Sequence, residues 1–305
     1  MNNTMNNTMN MNKNKNLYIS KNQTNDCITI VNQSGFKIYN INPFKLNFKR
    51  ELNEKISIIK LFYKTNILVF IKSNDYYKLH IWDDIQLKIV GEIKINNKII
   101  NFDINRKVIV ICTAEYLYIY NFNGLTFNKK IKTFYNNVSS FSLYNEFIAY
   151  PSIELGYINI ENYNNNKIIK IKAHLTIIQL ITFSNNGKFI ATTSEKGTII
   201  RLYYCNNGNL FKEFRRGINY VTINELKFSL DDKYLLINSN KNTIHIFDIE
   251  NYNYMFSQYS IQKYYYNEIT YSIFTNDNKL ISIGNNKYYI LDLINFKSKI
   301  IDIII

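Results

Sequence analysis

The chain has 305 residues and a formal net charge of +14, carried by 32 lysines and five arginines against 23 acidic residues. A hydrophobic content of 46%, with 15% aromatic residues, excludes a wholly disordered chain. The longest uncharged apolar runs have about five residues, far short of the roughly 20 that a membrane-spanning helix needs. Three isolated cysteines predict a reducing compartment and exclude both a disulfide framework and a cysteine-based zinc site.

Lysine and asparagine are strongly over-used, so the net charge partly reflects a bias in residue choice and is weak evidence for a polyanionic partner. The same bias makes each of the five arginines informative. An arginine in a lysine-rich chain indicates a need for the fixed fork of guanidinium donors rather than for a positive charge alone.

The N-terminal segment, residues 1–16, consists largely of Met, Asn, Thr and Lys and has no apolar core of a secretory signal. We predict that it is a disordered leader. Residues 17–305 are predicted to form one folded domain, because no linker interrupts their alternation of apolar runs and polar turns.

An internal repeat organises this domain. Residues 183–200 and 228–245 share seven identities at an offset of 45, and a shorter third copy begins at Phe274. Looser copies cover residues 61–83 and 102–121. Each copy places short β-branched and aromatic strands between turns rich in Asn, Asp and Gly. A period of about 40 to 45 residues with four strands per unit predicts an all-β, seven-bladed WD40-like β-propeller.

Four consecutive residues, 214–217, read Phe-Arg-Arg-Gly and follow the first of the two close copies. In this register, after Ala173-His174 and before residues 243–247, the chain resembles the PROPPIN family of WIPI-like, autophagy-related propellers. The resemblance spans roughly residues 17–300. It implies a phosphoinositide-binding WD40 propeller that reads phosphatidylinositol 3-phosphate and phosphatidylinositol 3,5-bisphosphate in two rim pockets.

The residues themselves also favour two phosphate pockets. Because successive side chains of a strand point to opposite faces, Arg215 and Arg216 are expected to reach the two sides of one blade. Each would join a hydroxyl and an imidazole, which suits a phosphomonoester. The predicted lipid-binding residues are His174, Thr198, Arg201 and Arg215 in a first set, and Arg216, Ser239, Thr243 and His245 in a second set.

Structural alternatives exist for several of these residues. His174 is also expected as the structural histidine of an ordinary blade, and His245 as a half-buried strand residue. Thr198 and Thr243 have side chains that strands favour for their own packing.

A membrane-contacting loop is predicted in blade six, where the resembling family carries a longer one. Tyr254, Met255 and Phe256 provide the apolar and amphipathic side chains that favour a bilayer interface.

The resemblance implies a monomeric peripheral adaptor in protein transport. It would be cytoplasmic and associated with autophagosomal, endosomal, vacuolar or other phosphoinositide-marked membranes, where it would recruit autophagy-related proteins. We find no catalytic residues and no cofactor or metal motif, so an enzyme is not predicted. The alternatives are a lipid-independent interaction scaffold and a nucleic-acid-binding propeller; the second is disfavoured because the basic residues are spread along the chain.

Overall fold

The structure is a computed structural model of the chain. The residues that it describes are 18–32, 34–52, 54–135, 140–250, 258–265, 271–275, 277–284, 287–294 and 297–302. The predicted leader, residues 1–16, and the predicted membrane loop with Tyr254, Met255 and Phe256 lie outside the described residues.

Seven antiparallel sheets follow one another along the chain, and each sheet is one blade, numbered here in chain order. Within a blade the first strand faces the central axis and the fourth lies at the rim. The strands of the first four blades are β1 (Ile19–Lys21), β2 (Cys27–Val31), β3 (Gly35–Asn40) and β4 (Lys45–Glu51); β5 (Ile56–Leu61), β6 (Ile67–Lys72), β7 (Asp75–Asp83) and β8 (Lys88–Lys94); β9 (Asn101–Ile104), β10 (Val108–Cys112), β11 (Tyr116–Asn121) and β12 (Phe127–Lys132); and β13 (Ser142–Tyr144), β14 (Phe147–Pro151), β15 (Tyr157–Asn162) and β16 (Lys167–Lys172).

Blades five to seven continue the pattern, and blade five gains one short extra strand from the segment that follows the third strand of blade six. Among the described residues, one 3-10 turn, Asn123–Leu125, lies in blade three. The strands of the last three blades are β17 (Ile178–Phe183), β18 (Phe189–Ser194), β19 (Ile199–Tyr204) and β20 (Leu210–Arg215), with β24 (Gln258–Tyr259) at the edge of this fifth blade; β21 (Ile223–Phe228), β22 (Tyr234–Ser239), β23 (Thr243–Asp248) and β25 (Gln262–Tyr265); and β26 (Tyr271–Phe274), β27 (Lys279–Ile283), β28 (Lys287–Asp292) and β29 (Ser298–Asp302). These blades confirm the predicted seven-bladed, all-β propeller.

Burial follows the position of a strand within its blade. All six residues of β18 are buried, because this strand is covered by neighbouring strands and by the two adjacent blades. The rim strand β12, with three lysines in six residues, is mostly exposed. Charged side chains on such edge strands oppose pairing with another chain.

Blades one and seven meet to close the ring, and each is built from its own end of the chain. Among the described residues, no strand from one end completes the sheet of the other. Closure depends on apolar packing instead: Ile28 and Ile30 of blade one share a buried cluster with Ile281 and Ile283 of blade seven. The ring therefore closes through side-chain contacts between two complete blades.

A cavity of about 990 Å³ lies along the axis, lined by residues of the innermost strands, among them Lys21, Lys60 and Tyr271. None of the eight predicted lipid-binding residues, all of which are described, lines this cavity. No helix among the described residues has the length and apolarity to cross a bilayer.

Candidate functional site

The two close repeats differ in the register of their third strand. Their first two strands keep the offset of 45, since Ile178 pairs with Ser194 and Ile223 pairs with Ser239. In the third strand, however, Thr192 pairs with Arg201 whereas the equivalent Ile237 pairs with His245. Arg201 and His245 therefore occupy equivalent positions in blades five and six.

Thr198 is the residue that produces this shift. Both hairpins turn through a residue with positive φ, Gly197 at 61° and Asn242 at 53°. Thr243 then pairs at once with Ser239, but Thr198 is an additional residue before β19. Its carbonyl oxygen accepts a hydrogen bond from the backbone N–H of Arg216 at 2.9 Å. Thr198 and Thr243 are thus not equivalent in the two blades.

Arg215 and Arg216 lie on opposite sides of blade five, as strand geometry predicts. Phe214 is fully buried against blade six, with its ring centroid 4.9 Å from that of Phe247. Arg215 therefore lies on the other face, which it shares with Glu213 and Arg201. Arg216 follows the end of β20 and lies on the side of blade six.

In the first set, Arg201 is held by two partners. Its Nε donates to Glu213 Oε2 at 2.8 Å, and its Nη1 donates to the backbone oxygen of Ala173 at 2.8 Å. His174, which follows Ala173, is 4% exposed, and its Nε2 lies 3.0 Å from the hydroxyl of Thr192. Because that hydroxyl donates to the Arg201 carbonyl oxygen, His174 Nε2 is the donor.

Through these contacts, His174 packs next to Arg201 and helps to hold it in place. Burial, and next the charge of Arg201, lower the pKa of His174 to about 4. The ring is therefore neutral near pH 7 and supports the strand that carries Arg201. Arg215, half-buried on the same face, forms no ion pair among the described residues.

In the second set, Arg216 follows the last strand of blade five and His245 belongs to blade six, and the charge of Arg216 reaches His245 across the boundary of the two blades. Arg216 Nε donates a hydrogen bond to the carbonyl oxygen of Gly197 at 2.8 Å. Nη2 of the same guanidinium donates to the carbonyl oxygen of Asn219. Burial lowers the pKa of His245 to about 4, with the charges of Lys263 and Arg216 as further causes. His245 is 2% exposed, and its Nε2 has no hydrogen-bond partner among the described residues.

Ser239 and Thr243 complete the second set. Both are buried, and their hydroxyl oxygens are 2.8 Å apart. They close the hairpin beside His245, since Thr243 and His245 are two residues apart on one face of β23.

The short strand β24 was absent from the sequence prediction. It pairs in parallel with the end of β20, so blade five gains a fifth strand next to Arg215. The chain then brings Ser260 to His245, where the hydroxyl oxygen lies 3.1 Å from Nδ1. Ser260 thus fixes one ring nitrogen of His245 and leaves Nε2 directed elsewhere.

Sequence reasoning missed Glu213, Thr192 and Ser260. The register of the β19–β20 hairpin could have found Glu213, because it places a carboxylate opposite Arg201. Thr192 pairs with Arg201 from the other neighbouring strand, β18. No sequence signal could have found Ser260, whose position depends on a parallel pairing between two blades.

The molecule is a seven-bladed propeller with one arginine–histidine set on each side of blade five. The family model described as PROPPIN matches residues 17–257, and the chain belongs to this family. PROPPINs are autophagy-related, phosphoinositide-binding β-propellers, and they are adaptor proteins rather than enzymes.

Curated relatives agree with this assignment. SVP1-like protein 2 of Schizosaccharomyces pombe is 31% identical over 247 residues, which cover 76% of this chain and 67% of the relative. Autophagy-related protein 18 of Caenorhabditis elegans is 32% identical over 251 residues, covering 76% of this chain and 61% of the relative.

Solved structures share the fold. Hsv2 of Kluyveromyces marxianus superposes with a TM-score of 0.81 at 24% identity, covering 93% of this chain and 96% of the other. Hsv2 of Kluyveromyces lactis gives 0.78 at 22% identity, with the same coverage of both chains. A complex of KlAtg21 with the coiled coil of AgAtg16 gives 0.77 at 23% identity, covering 91% and 94%.

Proposed function

We propose that the chain is a peripheral membrane adaptor that binds phosphatidylinositol 3-phosphate and phosphatidylinositol 3,5-bisphosphate in two rim pockets. One pocket, on the blade-four side of blade five, is formed by His174, Thr198, Arg201 and Arg215. The other, between blades five and six, is formed by Arg216, Ser239, Thr243 and His245. Membership in the PROPPIN family supports the phosphoinositide class of ligand.

The observation that carries this proposal is the buried Nε2 of His245, which has no hydrogen-bond partner among the described residues and lies within electrostatic range of Arg216. A buried imidazole nitrogen without a partner is costly, and here the charge of Arg216 lies near enough to contribute to the lowered pKa of His245. A phosphate oxygen would accept one hydrogen bond from His245 Nε2 and another from the Arg216 guanidinium. Charge-assisted hydrogen bonds of this kind are the strong ones in phosphate recognition.

The first pocket depends on Arg215. Arg201 is already bound to Glu213 and Ala173, so its guanidinium is fixed in place and less free to move toward a ligand. Arg215 is half-buried on the same face and provides the guanidinium that can move toward a ligand. Two pockets on one rim would make attachment bivalent, so that a second lipid binds at a high effective concentration.

Recruitment of proteins is the second half of the proposed role. KlAtg21 has been solved in a complex with the coiled coil of AgAtg16, and this chain has the same fold. We propose that it likewise brings autophagy-related proteins to a phosphoinositide-marked membrane, with the protein cytoplasmic and attached at the membrane surface.

Vesicle flotation tests the lipid proposal. Arg215→Thr with Arg216→Thr should abolish binding to phosphatidylcholine vesicles containing phosphatidylinositol 3-phosphate, and each single variant should retain weaker binding. Lys45→Thr with Lys88→Thr removes the same charge from exposed sites in blades one and two and should bind nearly as well as the unaltered protein. All variants should keep the circular dichroism spectrum of a β-protein.

Undiminished binding by the double arginine variant would exclude the two-pocket proposal. Loss of binding in the lysine control as well would indicate general charge attraction. Equal binding to vesicles without the phosphoinositide would favour a lipid-independent scaffold, and an electrophoretic mobility shift with RNA would favour the nucleic-acid alternative.

A further inference from the structure

Exposed apolar side chains surround the rim pockets on one face of the propeller. We call them the apolar ridge. Its members come from the β14–β15 hairpin, the connection from blade four to blade five and the connection from blade five to blade six: Ile153 at 60% exposure, Leu155 at 49%, Leu175 at 79%, Ile218 at 79% and Tyr220 at 68%.

Strand directions place these segments on the same face. In an antiparallel blade, the turn between the second and third strands and the connection to the next blade lie at the same end of the sheet. Hydrogen bonds hold the segments together, because the backbone N–H groups of Ala173 and His174 both donate to the carbonyl oxygen of Gly156 at 2.9 Å. Leu155 and Leu175 therefore occupy adjoining loops.

The second part of the ridge adjoins Arg216. The carbonyl oxygen of Asn219, between Ile218 and Tyr220, accepts a hydrogen bond from the Arg216 guanidinium. Val221 N–H donates to the carbonyl oxygen of Lys196 at 3.3 Å, which ties this loop to the β18–β19 hairpin. The ridge is thus continuous with the loops that carry the proposed pockets.

Positive charge lies between the two parts of the ridge. Lys196 Nζ is 5.6 Å from the centroid of the Tyr220 ring, and Arg215 and Arg216 follow on the same rim. Glu195 offsets part of this charge, while Glu154 is already paired with Lys170. Apolar side chains interleaved with cations match the chemistry of an anionic membrane surface.

We propose that the apolar ridge inserts into the interfacial region of the bilayer and holds the rim pockets at headgroup depth. Ile, Leu and Tyr side chains gain free energy on leaving water for this region, whereas neighbouring lysine and arginine side chains reach the phosphates. This inference rests on the proposed function, since it assigns a second contact to the same membrane-bound state.

Flotation with matched variants tests the ridge. Leu175→Ser with Ile218→Ser should weaken binding to phosphatidylcholine vesicles containing phosphatidylinositol 3-phosphate by about tenfold per residue. Ile85→Ser with Leu87→Ser is the control, because these residues are 78% and 59% exposed in the β7–β8 turn on the opposite face. Control binding should equal that of the unaltered protein.

Fluorescence quenching gives an independent measurement. A tryptophan introduced by Ile218→Trp should be quenched by brominated lipids in the same vesicles, whereas one introduced by Ile85→Trp should give no more quenching than Trp82 alone. Equal vesicle binding by the two serine pairs, or no added quenching with Ile218→Trp, overturns the ridge and leaves these residues as a candidate surface for a protein.

The arginine variant separates this result from a failure of the proposed function. If Arg215→Thr with Arg216→Thr abolishes flotation while the Leu175 and Ile218 pair does not affect it, the pockets stand and the ridge is wrong. If the arginine variant floats normally and the ridge pair does not, headgroup reading is wrong and membrane attachment is apolar.

Discussion

The five arginines divide into distinct physical roles at the level of single residues. Arg50 forms a forked pair with Asp84 of the next blade, with distances of 2.9 and 2.7 Å. Arg201 is fixed by Glu213 and Ala173. Arg106 lies over the Tyr63 ring, with its guanidinium carbon 4.9 Å from the ring centroid. Arg215 and Arg216 are the two arginines that we propose for ligand recognition, and the Arg216 guanidinium is already oriented by the carbonyl oxygens of Gly197 and Asn219.

Histidine titration gives a prediction at this scale. The pKa of His245 is about 4 in the folded protein, below its ordinary value of 6.5, so protonation favours the unfolded chain. The stability contributed by neutral His245 is complete above pH 6.5 and lost as the pH falls toward 4. We expect the free energy of unfolding to decrease by about 1.4 kcal/mol per pH unit from this residue alone.

Urea unfolding between pH 7 and pH 4 measures this effect. His245→Asn should remove about one such slope, and His174→Asn should remove another, since the pKa of His174 is also about 4. A pH dependence that is the same in the unaltered protein and both variants would contradict the assigned causes, burial and neighbouring positive charge.

At the level of strands and turns, the sequence could predict what is set locally. Alternating apolar residues and turn residues gave the blades, and strand alternation gave the opposite placement of Arg215 and Arg216. The register of the third strand could not be derived from the sequence identities of the repeats. Thr198 and Thr243 align in the two repeats, but the turns before the third strands differ in length. A hairpin sets register through its turn, and one residue changes every side chain's face.

Longer-range features were beyond prediction for a different reason. The position of β24 depends on parallel pairing with β20 of another blade, and His245 obtains its Ser260 contact only through it. The pairing of Arg201 with Glu213 likewise required the register of β19 against β20. Residue types identified the candidate site. Tertiary contacts determine which of its side chains are free to bind a ligand.

The β18–β19 hairpin offers a prediction at this scale. Gly197 has a φ of 61°, and a Cβ there would lie 2.2 Å from the carbonyl oxygen of Val221. Gly197→Ala should therefore reduce the free energy of unfolding by roughly 1–3 kcal/mol. It should also weaken phosphoinositide binding, because Arg216 Nε donates to the Gly197 carbonyl oxygen.

Gly124→Ala is the matched control for this change. Gly124 also has a positive φ, 74°, but a Cβ there would meet nothing closer than Thr126 Cγ2 at 3.8 Å. This control should show a smaller loss in thermal or urea unfolding and no loss in vesicle flotation. If both variants lose lipid binding alike, the hairpin contact with Arg216 is not what positions the second pocket.

For the whole molecule, the closing contact between blades one and seven decides whether the ring holds its shape. Each blade is a complete sheet, so this interface has no shared strand among the described residues and depends on buried isoleucines. The proposed rim pockets lie in blades five and six, away from the closure. Their geometry nevertheless requires neighbouring blades to keep their spacing, which a closed ring enforces.

Truncating one closing residue tests this dependence. Ile281 is 4% exposed and packs in the cluster shared with blade one, so Ile281→Ala should lower the free energy of unfolding by roughly 2–5 kcal/mol. Ile294→Ala, at a position 76% exposed in the same blade, should change it by less than about 0.5 kcal/mol. Because blades one and seven, unlike the other neighbouring blades, are not joined by a covalent connection, Ile281→Ala should also increase proteolysis in blades one and seven before blades five and six. Equal protease sensitivity in all blades would instead mean that the ring unfolds as one unit and that the seam is no weaker than any other blade boundary.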